Sequence, residues 1–293
     1  MTAASKPATK TLEYRFPDFI GIGAQKAGTT WLDNNLRRHP QLWLPPIKEL
    51  QYFNDVHVPS NRKWTVEHRR RRGKQVLARY LETTPRENWN YPFIARVADI
   101  VEGAVSDDWY GRIFTLADPE QLCGEITPDY CTLPEKGIRH VLRLSPNVKI
   151  ILSLRDPIAR SWSHIRMLAK ARAEVGLPQM EQFARRADIV KRADYAAMIS
   201  NWKKLVPDAR ILVILMDDIA TQPVVVLDKV CVFLGILADR LRLEKSGRPI
   251  HVGEKEEIPS SIYAILRDKL KPTYDTLGAM YPEIGRTWSA LHF

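Results

Sequence analysis

An α/β fold with a central parallel sheet flanked by helices is predicted by three observations. The chain contains short, almost wholly apolar runs; each is followed by an amphipathic segment; and the two alternate along its length. Strands separated by crossover helices pair in parallel, because each helix returns the chain to the same end of the sheet.

The first unit is FIGIGAQKAGTTWLDNNLRRHP. Phe19 to Gly23 is a β-type run, a glycine-containing loop follows, and Leu32 and Leu36 then recur at helical spacing. VKIILSLRDPIARSWSHIRML repeats that grammar. A buried strand spans Val148 to Leu154, Asp156-Pro157 breaks it, and Ile158, Trp162, Ile165 and Leu168 line a helix. YAAMISNWKKLVP reads as an amphipathic helix, ARILVILMDDI as a third buried strand, and TQPVVVLDKVCVFLGI as the next helix. Helical periodicity returns in IPSSIYAILRDKLKPTYDTLGAM, where Pro272 predicts a break.

Residues 1–16 read as a loose polar leader and residues 17–293 as a single domain. Within it, residues 56–122 are rich in Arg, Trp, Tyr and Asn and show little strand pattern. They read as a variable excursion inserted between core elements, where function-specific loops sit.

Composition narrows the class further. The 293 residues carry 44 Lys and Arg against 34 Asp and Glu, a formal charge of +10 that favours anionic partners without choosing among them. HRRRRGK, His68 to Lys74, is the strongest charge run and reads first as a solvated face. The three cysteines form neither a CxxC pair nor a Cys/His zinc cluster, so no metal is expected and a reducing, cytoplasmic setting is. The longest apolar run, Ile211 to Met216, is far shorter than the ~20 residues of a membrane span.

The chemistry concentrates in the loop Gly23 to Thr30. A strand that feeds a glycine loop opening a helix aims unpaired N–H groups and the positive helix end at one place, which suits a phosphate. Gly28 lets the backbone approach closely, the Thr29 and Thr30 hydroxyls add donors, and Lys26 supplies a cation. The loop departs from the nucleotide-kinase pattern GxxxxGK[ST], since Thr29 stands directly after the second glycine and the lysine lies earlier.

QKAGTTWL resembles the 5′-phosphosulfate-binding loop of sulfotransferases that use 3′-phosphoadenosine 5′-phosphosulfate (PAPS). LRDPIARSWSHI resembles their 3′-phosphate segment, with Arg155 and Ser163 at the family's spacing. The resemblance extends from about Phe19 to Tyr281 and implies a P-loop-like sulfotransferase fold with PAPS as co-substrate, adenosine 3′,5′-bisphosphate (PAP) as product and no metal. It implies cofactor contacts from Lys26, Ala27, Gly28, Thr29, Thr30, Trp31, Arg155, Ser163 and Tyr195, with Tyr195 on the adenine side. Trp31 either stacks on adenine or packs beneath the loop.

IKELQYFN is similar to the segment in which glycosaminoglycan sulfotransferases carry their base, which places Glu49 in that role. His57 and His68 are the rival bases. GEITPDY is similar to the family's Glu-Lys-Ser/Thr-Pro-x-Tyr element, but Ile126 stands where the lysine belongs, so that lysine's role is not inherited. Lys48, Phe53, Asp129 and Tyr130 are the acceptor-side candidates, and Arg248 and Lys255 the weak candidates for a C-terminal cofactor loop. The expected partner is a small-molecule or saccharide acceptor, to be sulfated on a hydroxyl or amine. No nucleic acid is expected, and homo-oligomers are allowed. The competing readings are a P-loop kinase, which needs Mg²⁺ and ATP, and a nonenzymatic basic nucleotide- or nucleic-acid-binding module.

Overall fold

The computed structural model describes residues 14–172, 174–238 and 257–293. Five strands, β1 (Phe19–Gly23), β2 (Leu42–Trp43), β3 (Leu122–Ile126), β4 (Lys149–Leu154) and β5 (Ile211–Leu215), form one sheet in the order β2-β3-β1-β4-β5. Every pairing is parallel. The expected architecture is therefore present.

Alternation along the strands explains the near-continuous apolar runs, since both sheet faces are covered. Ile20 and Ile22 of β1 and Ile150, Leu152 and Leu154 of β4 enter the larger core cluster. Phe19 and Ile151 point to the other face. There they meet Trp31, Leu32 and Leu36 of α1 (Thr29–Leu36), together with Val226, Leu227, Val230 and Leu234 of a helix spanning Pro223–Leu234. The larger cluster holds Ile158, Trp162 and Ile165, and also Ile262, Leu266, Leu270, Tyr274 and Leu277 of the helix Ser260–Met280.

Three expectations are corrected. Pro272 does not break its helix, which runs unbroken from Ser260 to Met280. The ring removes one N–H···O bond, but Leu266, Leu270, Tyr274 and Leu277 anchor both sides of it in the core. Residues 56–122 are chiefly helical rather than loops. They contribute α2 (Tyr52–His57, which begins just before them), α3 (Arg62–Thr83), α4 (Tyr91–Glu102) and α5 (Asp107–Phe114). Nor is the HRRRRGK run solvated throughout: His68, Arg69 and Gly73 are buried, while Arg70, Arg71, Arg72 and Lys74 face outward. After this region α6 (Glu135–Leu144) leads from β3 to β4, and α7 (Pro157–Lys170) follows β4.

Candidate active site

In this strand order the connection from β1 leads to one side of the sheet, and β4 lies on its other side. The carboxyl ends of β1 and β4 therefore flank a switch point, the position where open α/β sheets bind ligands. The two phosphate-type segments leave those two strand ends.

The loop after β1 is shaped by close packing. Gly23 has φ 139°, and a Cβ there would lie 2.4 Å from the Pro128 carbonyl oxygen. Gly28, at φ 87°, precedes α1; a Cβ would come within 2.9 Å of Ile219 Cδ1. No side chain caps α1, so the N–H groups of its first turn are left to face an anion. The loop carbonyls are held from the β4 side. Ser153 Oγ donates to Ala27 O, Arg155 Nη1 to Lys26 O at 3.4 Å, and Arg160 Nε to Gln25 O at 3.1 Å.

Lys26 itself adopts φ 71°. Burial lowers its pKa, the neighbouring charges of Arg155, Arg160 and Arg166 lower it further, and Glu49 opposes them. Lys26 thus lies in the field of three arginines, a positive setting that suits an anion. Arg155 is half-buried, and burial pulls its pKa down as well. The helix that follows it, α7, is capped by Asp156, whose carboxylate accepts from Ala159 N at 2.7 Å, and it carries the half-buried Ser163.

Tyr195 lies beneath this segment, fully buried, with its hydroxyl donating to Arg155 O at 2.8 Å. Trp31 is buried against the sheet, Ala27 is buried, Thr29 is nearly so, and Thr30 is exposed.

Glu49 occupies the connection between β2 and α2 at φ 65°, and Gln51 follows at φ 59°. Non-glycine residues rarely hold such angles, at a cost of about 1–3 kcal/mol each, and they gather at functional sites. The connection is pinned from β3 and the turn after it. Leu50 N donates to Glu125, and Gln51 Nε2 donates to Asp129 Oδ2 at 2.9 Å. Burial raises Glu125 to about 7, although Tyr110, Thr127 and Tyr130 all donate to it.

The Glu49 carboxylate accepts from Lys48 Nζ at 2.8 Å and lies 3.7 Å from His68 Nε2. Both acid and lysine are largely sheltered. His68 is buried, and that burial lowers its pKa. His57 is occupied elsewhere: its Nε2 is 2.7 Å from His140 Nδ1, and His140 Nε2 is 2.7 Å from Asp107.

Among the acceptor-side candidates, Asp129 is buried in an ion pair with Arg192, and Arg192 and Gln51 hold its carboxyl below the usual range despite its burial. Tyr130 and Phe53 pack edge to face in the core, with ring centroids 5.3 Å apart. Ile126 lies in the smaller core cluster, so its side chain serves packing.

Arg160 is not singled out by the sequence, although it lies inside LRDPIARSWSHI. It is fully buried; its remaining guanidinium nitrogens reach Ile189 O at 3.1 Å and His164 Nδ1 at 2.8 Å. Burial lowers it to about 10. His164 lies in the same segment and is likewise not singled out, and Arg192 carries no sequence signal. Arg248 and Lys255 lie outside the described residues. Among the described residues no group of His, Cys, Asp or Glu is placed to hold a metal ion, and no helix is long and apolar enough to cross a membrane.

Residues 17–239 match the model of the sulfotransferase family. Over 150 residues the chain is 30% identical to the membrane-associated sulfotransferase kil1 of Dictyostelium discoideum, an alignment covering 50% of this chain and 22% of that protein. The chain thus spans under a quarter of that relative's length. A sulfotransferase from Alicyclobacillus acidocaldarius superposes with TM-score 0.61 at 22% identity, covering 90% of this chain and 95% of that one. The sulfotransferase domain of the Synechococcus PCC 7002 olefin synthase gives 0.52 at 20% identity, covering 91% and 92%. Mouse sulfotransferase SULT7A1, complexed with PAP, gives 0.51 at 13% identity, covering 96% and 91%. At these identities the structural likenesses speak for the fold.

Proposed function

The chain belongs to the sulfotransferase family, and from that membership we propose that it transfers the sulfuryl group of PAPS to a hydroxyl or amine acceptor, releasing PAP. The observation that carries this reading is the pair of anion points on neighbouring strand ends. Lys26 and the α1 N-terminus follow β1, and Arg155 with Ser163 follows β4. PAPS carries phosphate at both the 3′ and 5′ positions of its ribose and needs two such points; a nucleoside diphosphate needs one.

In this scheme Glu49 takes the acceptor proton as the acceptor oxygen or nitrogen attacks sulfur. The bond from sulfur to the bridging oxygen of the 5′-phosphate breaks in line. Lys26 meets the negative charge growing on that oxygen, and the α1 N–H groups, with the Thr29 and Thr30 hydroxyls, meet the nonbridging oxygens. Sulfuryl transfer, like phosphoryl transfer, needs little covalent help from the protein, so positioning and charge account for most of the rate. The kinase and nonenzymatic readings have no comparable support.

Calorimetry tests the two-point site. PAP is expected to bind at least about tenfold more tightly than ADP without Mg²⁺, since each hydrogen bond to a charged group contributes roughly 1.5–3 kcal/mol. Arg155→Ala should erase most of that preference. A bound anion raises the lowered pKa of Lys26, so binding takes up a proton wherever Lys26 is partly deprotonated in the free protein. PAP affinity should therefore fall as pH rises through the free-state pKa of Lys26. Equal affinity for PAP and ADP, or an absolute Mg²⁺ requirement, would contradict the assignment.

A further inference from the structure

Beside the loop lies a cavity of about 230 Å³, smaller than the roughly 300–1,000 Å³ of sites for drug-sized ligands. It opens between the start of α3, the turn after β3 and α7. Trp64, Met167 and Leu168 supply its apolar wall, and Trp64 keeps 41% of its surface exposed. The Trp64 ring lies 5.1 Å from the His68 ring, and His68 in turn neighbours Glu49. At the other side, Gln25 directly precedes Lys26. Neither Lys26 nor Glu49 lines the cavity, but Gln25 adjoins Lys26 in sequence and Trp64 is linked to Glu49 through His68.

Its polar groups are neutral or already paired. Gln25 Oε1 is buried with no hydrogen-bond partner, and Asn61 adds a second amide. His164 accepts from Arg160 at Nδ1, so its Nε2 carries the hydrogen. Burial and the charges of Arg160 and Arg192 hold it neutral, with the pKa lowered to about 3. Asp129 is matched by Arg192, and both Asp188 oxygens are matched by Arg186 at 2.8 Å. With its acids matched by arginines, the wall holds no uncompensated charge to recognise a charged ligand. A flat apolar ligand would leave the Gln25 oxygen and the His164 N–H unsatisfied. A ring with an apolar face for the indole and hydroxyls around its rim satisfies both walls.

We infer that this cavity is the acceptor subsite and that it takes one neutral, polyhydroxylated ring, a hexopyranoside stacked on Trp64 with hydroxyls bound by Gln25, Asn61 and His164. Its role as an acceptor site rests on the transfer reading above; the ring chemistry does not. The exposed arginines of α3 point outside this cavity, so the positive charge of that helix does not make its ligand anionic.

Ligand-observed NMR titration separates the two. The probes are methyl β-D-glucopyranoside, the matching methyl glucuronide and 2-naphthol, each with and without PAP. The glucoside should bind, and the glucuronide should bind at least about tenfold more weakly, because its carboxylate meets pairs already neutralised. Trp64→Ala should weaken glucoside binding about tenfold, and Trp64→Phe should restore most of it. Circular dichroism checks that each variant is folded. Tighter binding of the naphthol or glucuronide, no glucoside binding, or an unchanged glucoside affinity in folded Trp64→Ala overturns the inference. If PAP binds and the glucoside does not, this inference fails alone. If the glucoside binds and PAP does not, the sugar site stands, and its role as an acceptor site falls with the transfer reading.

Discussion

Glu49→Gln is expected to slow sulfuryl transfer by roughly 10²–10⁴-fold, the usual contribution of a positioned general base. The substitution keeps the size of the side chain and its ability to accept from Lys48. PAP affinity should stay near wild type, because the phosphate-binding groups follow other strand ends. A structural role for the Lys48–Glu49 pair predicts something different. Even a sheltered pair of this kind would show its loss in thermal stability, and exposed pairs contribute only about 0–1 kcal/mol. A rate within a few-fold of wild type, measured with a true acceptor, would remove Glu49 as the base. His68 would then be the next position to test, since it lies beside Glu49, whereas His57 is held by His140. Acceptor acidity gives a second readout: an aliphatic alcohol should lose more rate than a phenol, because a less acidic hydroxyl depends more on the base.

Lys26→Ala is expected to cost about 10²–10³ in the chemical step, the range seen when one donor to a developing oxyanion is removed. Affinity for PAP should fall less, because Arg155 and the α1 N-terminus remain. Single-turnover kinetics with saturating PAPS distinguishes the two effects. The lowered pKa of Lys26 reflects, besides burial, repulsion from Arg155, Arg160 and Arg166, and that repulsion is relieved by substitution. For this reason binding is expected to suffer less than turnover. An unchanged chemical step with weakened binding would make Lys26 an anchor for the nucleotide rather than a participant in transfer.

The strands legible in the sequence are those whose apolar side chains pack on both faces of the sheet. β1, β4 and β5 are short apolar runs ending at a loop, a proline or an acidic pair, and the pattern places each close to its true limits. β3 is not legible as a strand, because Gly124 and Glu125 interrupt its pattern. Glu125 is tolerated there through donors brought from Thr127 and Tyr130 in the following turn, from Tyr110 on α5 and from the Leu50 backbone N–H. β2 is two residues long and carries no periodicity.

The candidate site divides along similar lines. The loop around Lys26 and the Arg155–Ser163 segment are local patterns, and the parallel pairing of β1 with β4 brings them together. Residues whose roles come from packing alone leave no such pattern. Arg160 is fully buried against Gln25 and His164, and Arg192 meets Asp129 across a long sequence separation. The family resemblance puts Tyr195 on the adenine side; in the fold its hydroxyl holds the Arg155 carbonyl.

Whether this chain is a PAPS-dependent transferase is tested most directly by following radiolabelled sulfur from PAPS to an acceptor, with the purified chain and a panel of neutral glycosides, phenols and amines. Labelled product is expected on at least one hydroxyl or amine acceptor, with PAP formed in equal amount and both lost in Lys26→Ala. PAPS that stays intact across the whole panel, while ATP with Mg²⁺ phosphorylates the same acceptors, would contradict that assignment.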